Sequence, residues 1–559
     1  MGKNRWDAAA VIRRTIQGVV LSLFLFSLWF MPKLQGGDIF VQFDPLAAVV
    51  SHLAAREFVS YMAPGLLIVA SAFVFGRVFC GYVCPMGTTT DIAGAILRRF
   101  AKLGKRKVSE RLYAVKYFLL AFVAGAALIG VNLFYWLDPL PLISRFYSVL
   151  VQPITTLIGN KILVFGQPVL SMTGSGELEY LQIAVRRFNG IYFILTFFTA
   201  LFLLELIRAR FWCRYLCPAG ALLGLCSRAP FWRRRVSKCK SCGACVKRCP
   251  MGAIAPDGVF TFHSECTACR TCVARCPSNA VEFSFARRKR INVQEVLPTR
   301  RAFLLSACGG AGFAALEFLD LRTLASAVNR GTIYPEAFIR PPGALPEKEF
   351  LARCLRCGMC MRVCPTNGLQ PATSADGSNL GGMFTPILVA RRGQCEPDCN
   401  LCGVICPSKA IRALPLKEKR WAKIGASVVI HGRCLAWNNS KSCVVCQEVC
   451  PYDAVRIVPR DAAVIYGAVN DLKGKYPVPI VIAEKCFGCG YCEQHCPTEA
   501  PAIVTEPLNS LRITEGSYEE RGKEQGLQLE VVDKSIKSYE DTFRAEELPR
   551  GVLPPGFTD

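Results

Sequence analysis

The sequence predicts a multidomain protein: an α-helical membrane domain of four spans, followed by small α+β modules folded around repeated cysteine runs. Three observations predict it. Thirty cysteines occur in 559 residues, and 24 of them fall into six short runs that close on Cys-Pro. Apolar residues make up 52% of the chain and mean hydropathy is +0.30, although 67 residues are Lys or Arg. In the N-terminal part the apolar residues gather into four stretches, each close to the roughly 20 residues a helix needs to cross a bilayer.

Those stretches are Val11–Met31, Tyr61–Phe79, Val115–Leu137 and Ile191–Ile207. Residues 98–116 carry eight Lys/Arg and one acid, and residues 208–240 carry nine and none, whereas the loops 33–60 and 138–190 are nearly balanced. By the positive-inside rule the N-terminus, the 98–116 loop and the segment after Arg208 are cytoplasmic. Val11–Met31 is span-length and lacks a small-residue cleavage site, so no cleavable signal is expected. None of the four stretches contains His, which excludes a bis-histidine haem among them. Asp38, Asp44 and His52 in the first external loop, and Asp138 after the third span, are candidate proton acceptors; the plain reading of each is an ordinary loop residue.

The second and fourth spans end alike. FGRVFCGYVCPMGT holds Cys80 and Cys84; ARFWCRYLCPAGA holds Cys213 and Cys217. Both are C-x3-C-P-x-G behind an Arg-x-aromatic element. Spans one and two, and spans three and four, therefore read as a parallel repeat about an axis along the membrane normal. Spacing i, i+4 sets two sulfurs on one helix face, so the repeat offers four convergent thiols at the cytoplasmic boundary. Three uses stay open: a seventh metal centre, since four thiolates is the complement of an iron–sulfur cluster; a redox-active dithiol pair; or small buried side chains packing at helix ends. Cys226 and Cys308 belong to no run.

Residues 231–290 hold two regular runs: Cys239, Cys242, Cys245, Cys249, then Cys266, Cys269, Cys272, Cys276. This is the C-x2-C-x2-C-x3-C-P spacing of bacterial ferredoxins, in which three thiolates hold one [4Fe-4S] cluster and the fourth reaches the neighbouring one. Cys239, Cys242 and Cys245 should therefore join Cys276, and Cys266, Cys269 and Cys272 should join Cys249. Structural zinc favours paired C-x2-C knuckles with a longer spacer. Disulfides need Cα atoms about 4.4–6.8 Å apart on separate segments, which four cysteines in eleven residues do not supply.

Residues 291–349 form a linker with an unusual core, TRRAFLLSACGGAGFAALEF. Arg300 and Arg301 followed by uncharged Ala302–Leu316 look like a twin-arginine export signal set inside a chain. Leu305-Ser306-Ala307-Cys308 also resembles a lipoprotein box; the alternative is a buried helix after a basic linker. Residues 350–510 carry four more runs. They are Cys354, Cys357, Cys360, Cys364; Cys395, Cys399, Cys402, Cys406; Cys434, Cys443, Cys446, Cys450; and Cys486, Cys489, Cys492, Cys496. The second and third are irregularly spaced. Residues 511–559 read as a charged, loosely ordered tail.

Six runs supply ligands for six [4Fe-4S] clusters, the equipment for moving single electrons. The formal charge of +25 falls by roughly 12 once six clusters of about −2 each are bound; nucleic-acid binding is not needed to explain it. There is no C-x-x-C-H haem site, phosphate-binding loop or dinucleotide fingerprint, so electrons enter from a quinone pool, a partner protein, or both.

With four spans, two C-x3-C-P motifs and a two-cluster module, residues 1–290 resemble the NapH-type membrane ferredoxins. Residues 299–510, with a twin-arginine start, then RPPGALPEKEFLARCLRCGMCMRVCP and three more runs, are similar to the NapG/MauM-type periplasmic ferredoxins. The chain looks like a fusion of the two. The resemblance implies a quinol dehydrogenase in a bacterial inner membrane, passing electrons from quinol to a periplasmic multihaem cytochrome or terminal reductase, with the four-cluster module outside. It also implies that the first run of that module exchanges its last cysteine with the fourth, and the second with the third. C-x3-C-P proteins resemble redox regulators and metalloenzyme assembly factors as well, which is the alternative function.

Overall fold

Apolar composition drives the N-terminal half into helices: Ala8–Phe30, Pro45–Ala55, Ala63–Phe75, Pro85–Phe100, Val115–Leu128, Gln152–Met172, Ile191–Leu203 and Pro218–Cys226. The computed structural model describes residues 8–30, 39–100, 110–130, 132, 137–172, 183–285, 299–318, 338–373, 382–460 and 474–531. The chain divides into two compact units. The first comprises Met1–Glu336, Gly343–Ile387 and Asn400–Ala413; the second comprises Ala337–Pro342, Leu388–Cys399 and Leu414–Asp559.

Among the described residues two helices of the first unit are long and apolar enough to cross a membrane, Val11–Trp29 and Pro139–Gln167. The first matches the expected span. The second lies in the segment read from sequence as an external loop, because its prolines and polar residues interrupt the apolar pattern. Pro139 and Pro141 sit in its first turn, where a proline lacks no needed donor. Pro153 follows a π-helical turn, Phe146–Val151, whose wider spacing relieves the clash a proline meets inside an α-helix. The other three expected spans are shorter apolar helices, Ser60–Phe75, Leu112–Leu128 and Ile191–Leu206. Residues 131 and 133–136 of the third lie outside the described residues.

Val115–Leu128 is central to this unit. Its Lys116, Tyr117, Leu120, Ala121 and Val123 are all buried. The helix Arg300–Phe318, opened by Thr299 whose hydroxyl accepts from the Ala302 amide at 3.3 Å, packs along it. Contact is backbone to backbone: a Cβ on Gly125 would lie 1.9 Å from the Ala307 carbonyl oxygen, and one on Gly310 would lie 1.9 Å from that of Phe122. Ser306 donates to the Phe118 carbonyl at 2.8 Å. Ser306 and Ala307, of the segment that resembles a lipoprotein box, thus lie in a tight helix–helix seam.

Trp232–Val236 pairs antiparallel with Val281–Phe285, Arg234 opposite Phe283, over a core of Cys245, Ile254, Cys272 and Val281. This small module meets the N-terminal end of Val115–Leu128, where Lys116 reaches Glu265. Past the other end of that helix, Arg356 donates to the Asn132 carbonyl at 2.5 Å. Fourteen helical residues span about 20 Å. The 232–285 module and the Cys354 run therefore occupy opposite ends of one helical bundle.

In the second unit Ala426–Val429 pairs with Ile503–Glu506, and Val455–Val458 with Val478–Val481, both antiparallel. Trp437, Val478, Ile480 and Ala502 pack beside Cys434. Residues 511–531 are more ordered than their composition predicts, and residues 532–559 lie outside the described residues. Leu511 and Tyr518 are buried with Leu414 and Ala422, and Glu418 accepts from the Ser517 hydroxyl and the Tyr518 amide at the head of helix Tyr518–Glu524. Two apolar anchors and one capping carboxylate are enough to hold a charged segment down.

Candidate metal centres

The four regular cysteine runs fold through the same local steps, whereas Asn400 and Val444 of the irregular runs keep a negative φ at the corresponding place. In the regular runs the residue after the second cysteine takes a positive φ: 66° at Gly243, 80° at Gly358 and 82° at Gly490, with Arg270 reaching 56° without a glycine. That turn starts a short helix carrying the third cysteine. The proline after the fourth cysteine then forces that cysteine into extended backbone; ψ is 113° at Cys249 and 115° at Cys364. The chain turns back and donates an amide to the sulfur. Ala253 to Cys249, Ala280 to Cys276, Ala454 to Cys450 and Ala502 to Cys496 all measure 3.3 Å. Such N–H···S bonds stabilise thiolate and tune cluster potential.

Two cavities show how the runs combine. One is lined by Cys266, Cys269, Cys272 and Cys249, the expected exchange in the first module. The other is lined by Cys354, Cys357, Cys360 and Cys406. In the second unit Cys446 lies among Cys443, Cys434 and Cys496, and Cys489 lies among Cys492, Cys450 and Cys486. The first run thus takes the last cysteine of the second, and the third and fourth runs exchange. This corrects the expected pairing of first with fourth and second with third: neighbouring runs fold together, which needs the shorter loop closures.

A cationic core suits these cavities. Burial pushes the Cys357, Cys272 and Cys446 thiols up to about 12, and Cys360 and Cys489 well above their ordinary range, reinforced by neighbouring sulfurs. Bare thiols here resist ionisation, whereas thiolates facing iron do not. Among the described residues no three His, Cys, Asp or Glu converge closely enough to chelate a single ion, as zinc with bonds of about 2.3 Å requires; four sulfurs around a cavity fit a cuboidal cluster.

The C-x3-C-P repeats do meet. Cys80, Cys84, Cys213 and Cys217 lie within electrostatic reach of one another. Their arrangement is quasi-two-fold. Cys84 donates its amide to the Phe79 carbonyl and Cys217 to that of Trp212, both at 3.0 Å. Arg77 of the first repeat donates to the Cys213 carbonyl at 3.5 Å, and Arg210 of the second donates to the Cys80 carbonyl at 3.5 Å. The glycine of the second C-P-x-G makes room for the first repeat's arginine, since a Cβ on Gly220 would lie 2.5 Å from an Arg77 nitrogen, whereas one on Gly87 would press on the Cys80 carbonyl oxygen at 3.0 Å. Cys217 has the extended backbone of a ferredoxin Cys-Pro (ψ 110°) and accepts the Gly220 amide at 3.3 Å.

Both guanidiniums are almost wholly buried and each is ion-paired with a carboxylate that serves a second cation as well. Arg77 binds Glu265 at 3.0 Å, a carboxylate it shares with Lys116; Arg210 binds Asp91 at 2.6 Å. Glu265 immediately precedes Cys266, and Arg210 lies in the field of both Cys213 and Cys269. The thiol quartet and the nearer cavity of the 232–285 module therefore share one charge network. Sequence reading marked the arginines only as part of the repeat and missed Glu265, Lys116 and Asp91, whose roles depend on contacts far away in sequence.

The remaining candidates divide. Asp44 caps the helix Pro45–Ala55, accepting the Leu46 and Ala47 amides at 2.9 and 3.1 Å, and Asp138 is fully buried at the head of the helix Pro139–Arg145. His52 Nδ1 donates to the Ala48 carbonyl at 2.6 Å. Asp38 lies outside the described residues. Cys226 is half-buried and Cys308 exposed.

Cavities walled by four cysteines, fed by amide-to-sulfur bonds, define an iron–sulfur electron-transfer protein of the ferredoxin type. Comparison with known proteins agrees. Models described as 4Fe-4S binding domain match residues 58–105 with 191–239, and residues 350–370; models described as 4Fe-4S dicluster domain match 231–277 and 440–501. The methylamine utilization ferredoxin-type protein MauM of Methylorubrum extorquens is 36% identical over 214 residues, 38% of this chain and 90% of that one. The ferredoxin-type protein NapG of Escherichia coli is 35% identical over 175 residues, 31% of this chain and 71% of that one. The ferredoxin-type protein NapH of Haemophilus influenzae is 26% identical over 253 residues, 43% of this chain and 73% of that one. The chain belongs to the MauM/NapG/NapH group of ferredoxin-type proteins, as a fusion of NapH-type and NapG-type parts. No solved structure matches it.

Proposed function

We propose that the chain is a membrane-bound quinol dehydrogenase carrying six [4Fe-4S] clusters, with a seventh centre at the Cys80, Cys84, Cys213, Cys217 quartet. The observation that carries this reading is the presence of cysteine sites at both ends of one apolar helical bundle. Each cluster, when bound, takes up and releases one electron at a time. Quinol oxidation releases two electrons and two protons, so the entry site must lie where a lipid-soluble donor can reach it, and the quartet lies at the border between apolar helices and a cysteine module. Arg77 and Arg210 hold positive charge beside the quartet, which favours the reduced, more negative state of whatever it binds. The charge network from Arg210 to Cys269 makes the Cys266–Cys272 centre the next acceptor. The partner beyond the far end is a periplasmic multihaem cytochrome or terminal reductase.

The helix Arg300–Phe318 fits this reading as a retained membrane anchor. It leads the chain from the cytoplasmic module to the opposite side, and its seam against Val115–Leu128 argues against removal.

The test uses membranes containing the full chain. A quinol analogue should reduce the clusters, and Cys80→Ser or Cys217→Ser should abolish that reduction while the six soluble clusters still assemble. Anaerobic preparations should carry roughly 24 Fe, or about 28 with the quartet filled. Unchanged quinol oxidation in both variants would make the quartet structural and move the entry point to a partner.

A further inference from the structure

A cavity of about 820 Å³ opens beside the 232–285 module, between it and the helices Ala8–Phe30 and Pro85–Phe100. Its size is that of a small-molecule site, and its walls are unbalanced in charge. Arg13, Arg14, Arg208, Lys247, Arg248 and Arg275 line it together with Arg214, against a single acid, Asp91. That acid is already engaged by Arg210 and, at 3.7 Å, by Arg13. Arg214 is occupied by Tyr113 and the Pro250 carbonyl. Among the described residues Arg14, Arg208, Lys247, Arg248 and Arg275 have no acidic partner, and the Nε of Arg208 is buried without an acceptor. Cations converging on a cavity without counter-charge repel one another by amounts that an anion reverses.

The lining also changes character along the helices. Arg14, Gly18 and Leu21 follow one face of the first helix, a rise of about 10 Å from Arg14 to Leu21. Ile92 and Ala95 stand on the second. A basic mouth thus grades into an apolar wall, which fits a phosphate-bearing head group on an apolar tail. Basic pockets between membrane helices on the cytoplasmic side bind anionic lipid head groups in this manner.

We propose that this cleft binds the phosphate of an anionic phospholipid, held by Arg14, Arg208, Lys247, Arg248 and Arg275, with its acyl chain along Leu21 and Ile92. The tail assignment rests on the membrane reading above; the anion site does not. Lys247 and Arg248 directly precede Cys249, and Arg275 precedes Cys276. The bound phosphate consequently adds negative charge beside the first module and lowers the potential of its centres.

The experiment uses the full, cluster-loaded chain, delipidated in detergent and reconstituted into nanodiscs of phosphatidylcholine with or without phosphatidylglycerol. Phospholipid retained per chain is read by mass spectrometry, and inorganic phosphate serves as the soluble arm. About one phosphatidylglycerol should be retained selectively, and Arg14→Gln with Arg275→Gln should weaken retention about tenfold or more at unchanged iron content. Binding of inorganic phosphate alone, with the same sensitivity to the variants, supports the anion site and assigns it to a soluble phosphate. Equal retention of both lipids, or indifference to the variants, overturns the proposal. Quinol oxidation is scored separately, so failure of the dehydrogenase reading leaves the lipid result legible.

Discussion

Arg77 donates to the Glu265 carboxylate at 3.0 Å across 188 residues of chain, joining the first C-x3-C-P repeat to the 232–285 module. Lys116 donates to the same carboxylate, so one buried anion serves two buried cations. Glu265→Ala strands both charges and should cost about 3–5 kcal/mol. Limited proteolysis should then release residues 231–285 from the bundle. Arg353→Ala is the control: its partner Glu57 is 69% exposed, and the loss should stay below about 1 kcal/mol. Equal effects of the two substitutions would count against the network.

The seam between Val115–Leu128 and Arg300–Phe318 gives a second expectation. Gly310→Leu places carbon where the Phe122 carbonyl stands and should separate the helices, whereas Gly309→Leu, with nothing within 4 Å of the new Cβ, should be tolerated. Thermal unfolding of the purified chain, with cysteine cross-linking across the seam, distinguishes them. A tolerated Gly310→Leu would show that the helices do not stay in contact.

Cluster partners can be read by serine substitution. Cys406→Ser should abolish the same EPR signal as Cys357→Ser, and Cys496→Ser the same signal as Cys446→Ser, with a loss of about four Fe in each. Coincidence of Cys496→Ser with Cys357→Ser would restore the pairing of first run with fourth.

His263 should make the 232–285 module acid-sensitive. Burial, together with the charges of Arg233 and Arg234, lowers its pKa from 6.5 to about 4. The unfolded chain therefore binds a proton through this window that the folded chain refuses. Stability from this group is complete above pH 6.5 and lost as pH falls toward 4, by roughly 3 kcal/mol at most. Cluster absorbance followed through unfolding at pH 7 and pH 5 should show the loss in the native chain and a smaller one in His263→Phe. An identical loss in both would place the acid sensitivity elsewhere.

The sequence by itself determined the chemistry. Spacing within each run placed three cysteines and a Cys-Pro in a stretch too short for other metal or disulfide arrangements, and repetition of C-x3-C-P placed four thiols in corresponding positions. These are local relationships, set by bond geometry and proline sterics, and they are visible in one dimension. Tertiary structure decided what each local unit meets. Which run lends its cysteine to which depends on loop closure, so Cys406 rather than Cys496 completes the site of Cys354, Cys357 and Cys360. The crosswise arginines, the shared Glu265 and the Ala307–Gly125 seam join positions 130 to 190 residues apart, and no periodicity announces such contacts. The prolines that hid the Pro139–Gln167 helix from hydropathy are absorbed by its first turn and a π turn, a solution that exists only once the backbone has folded.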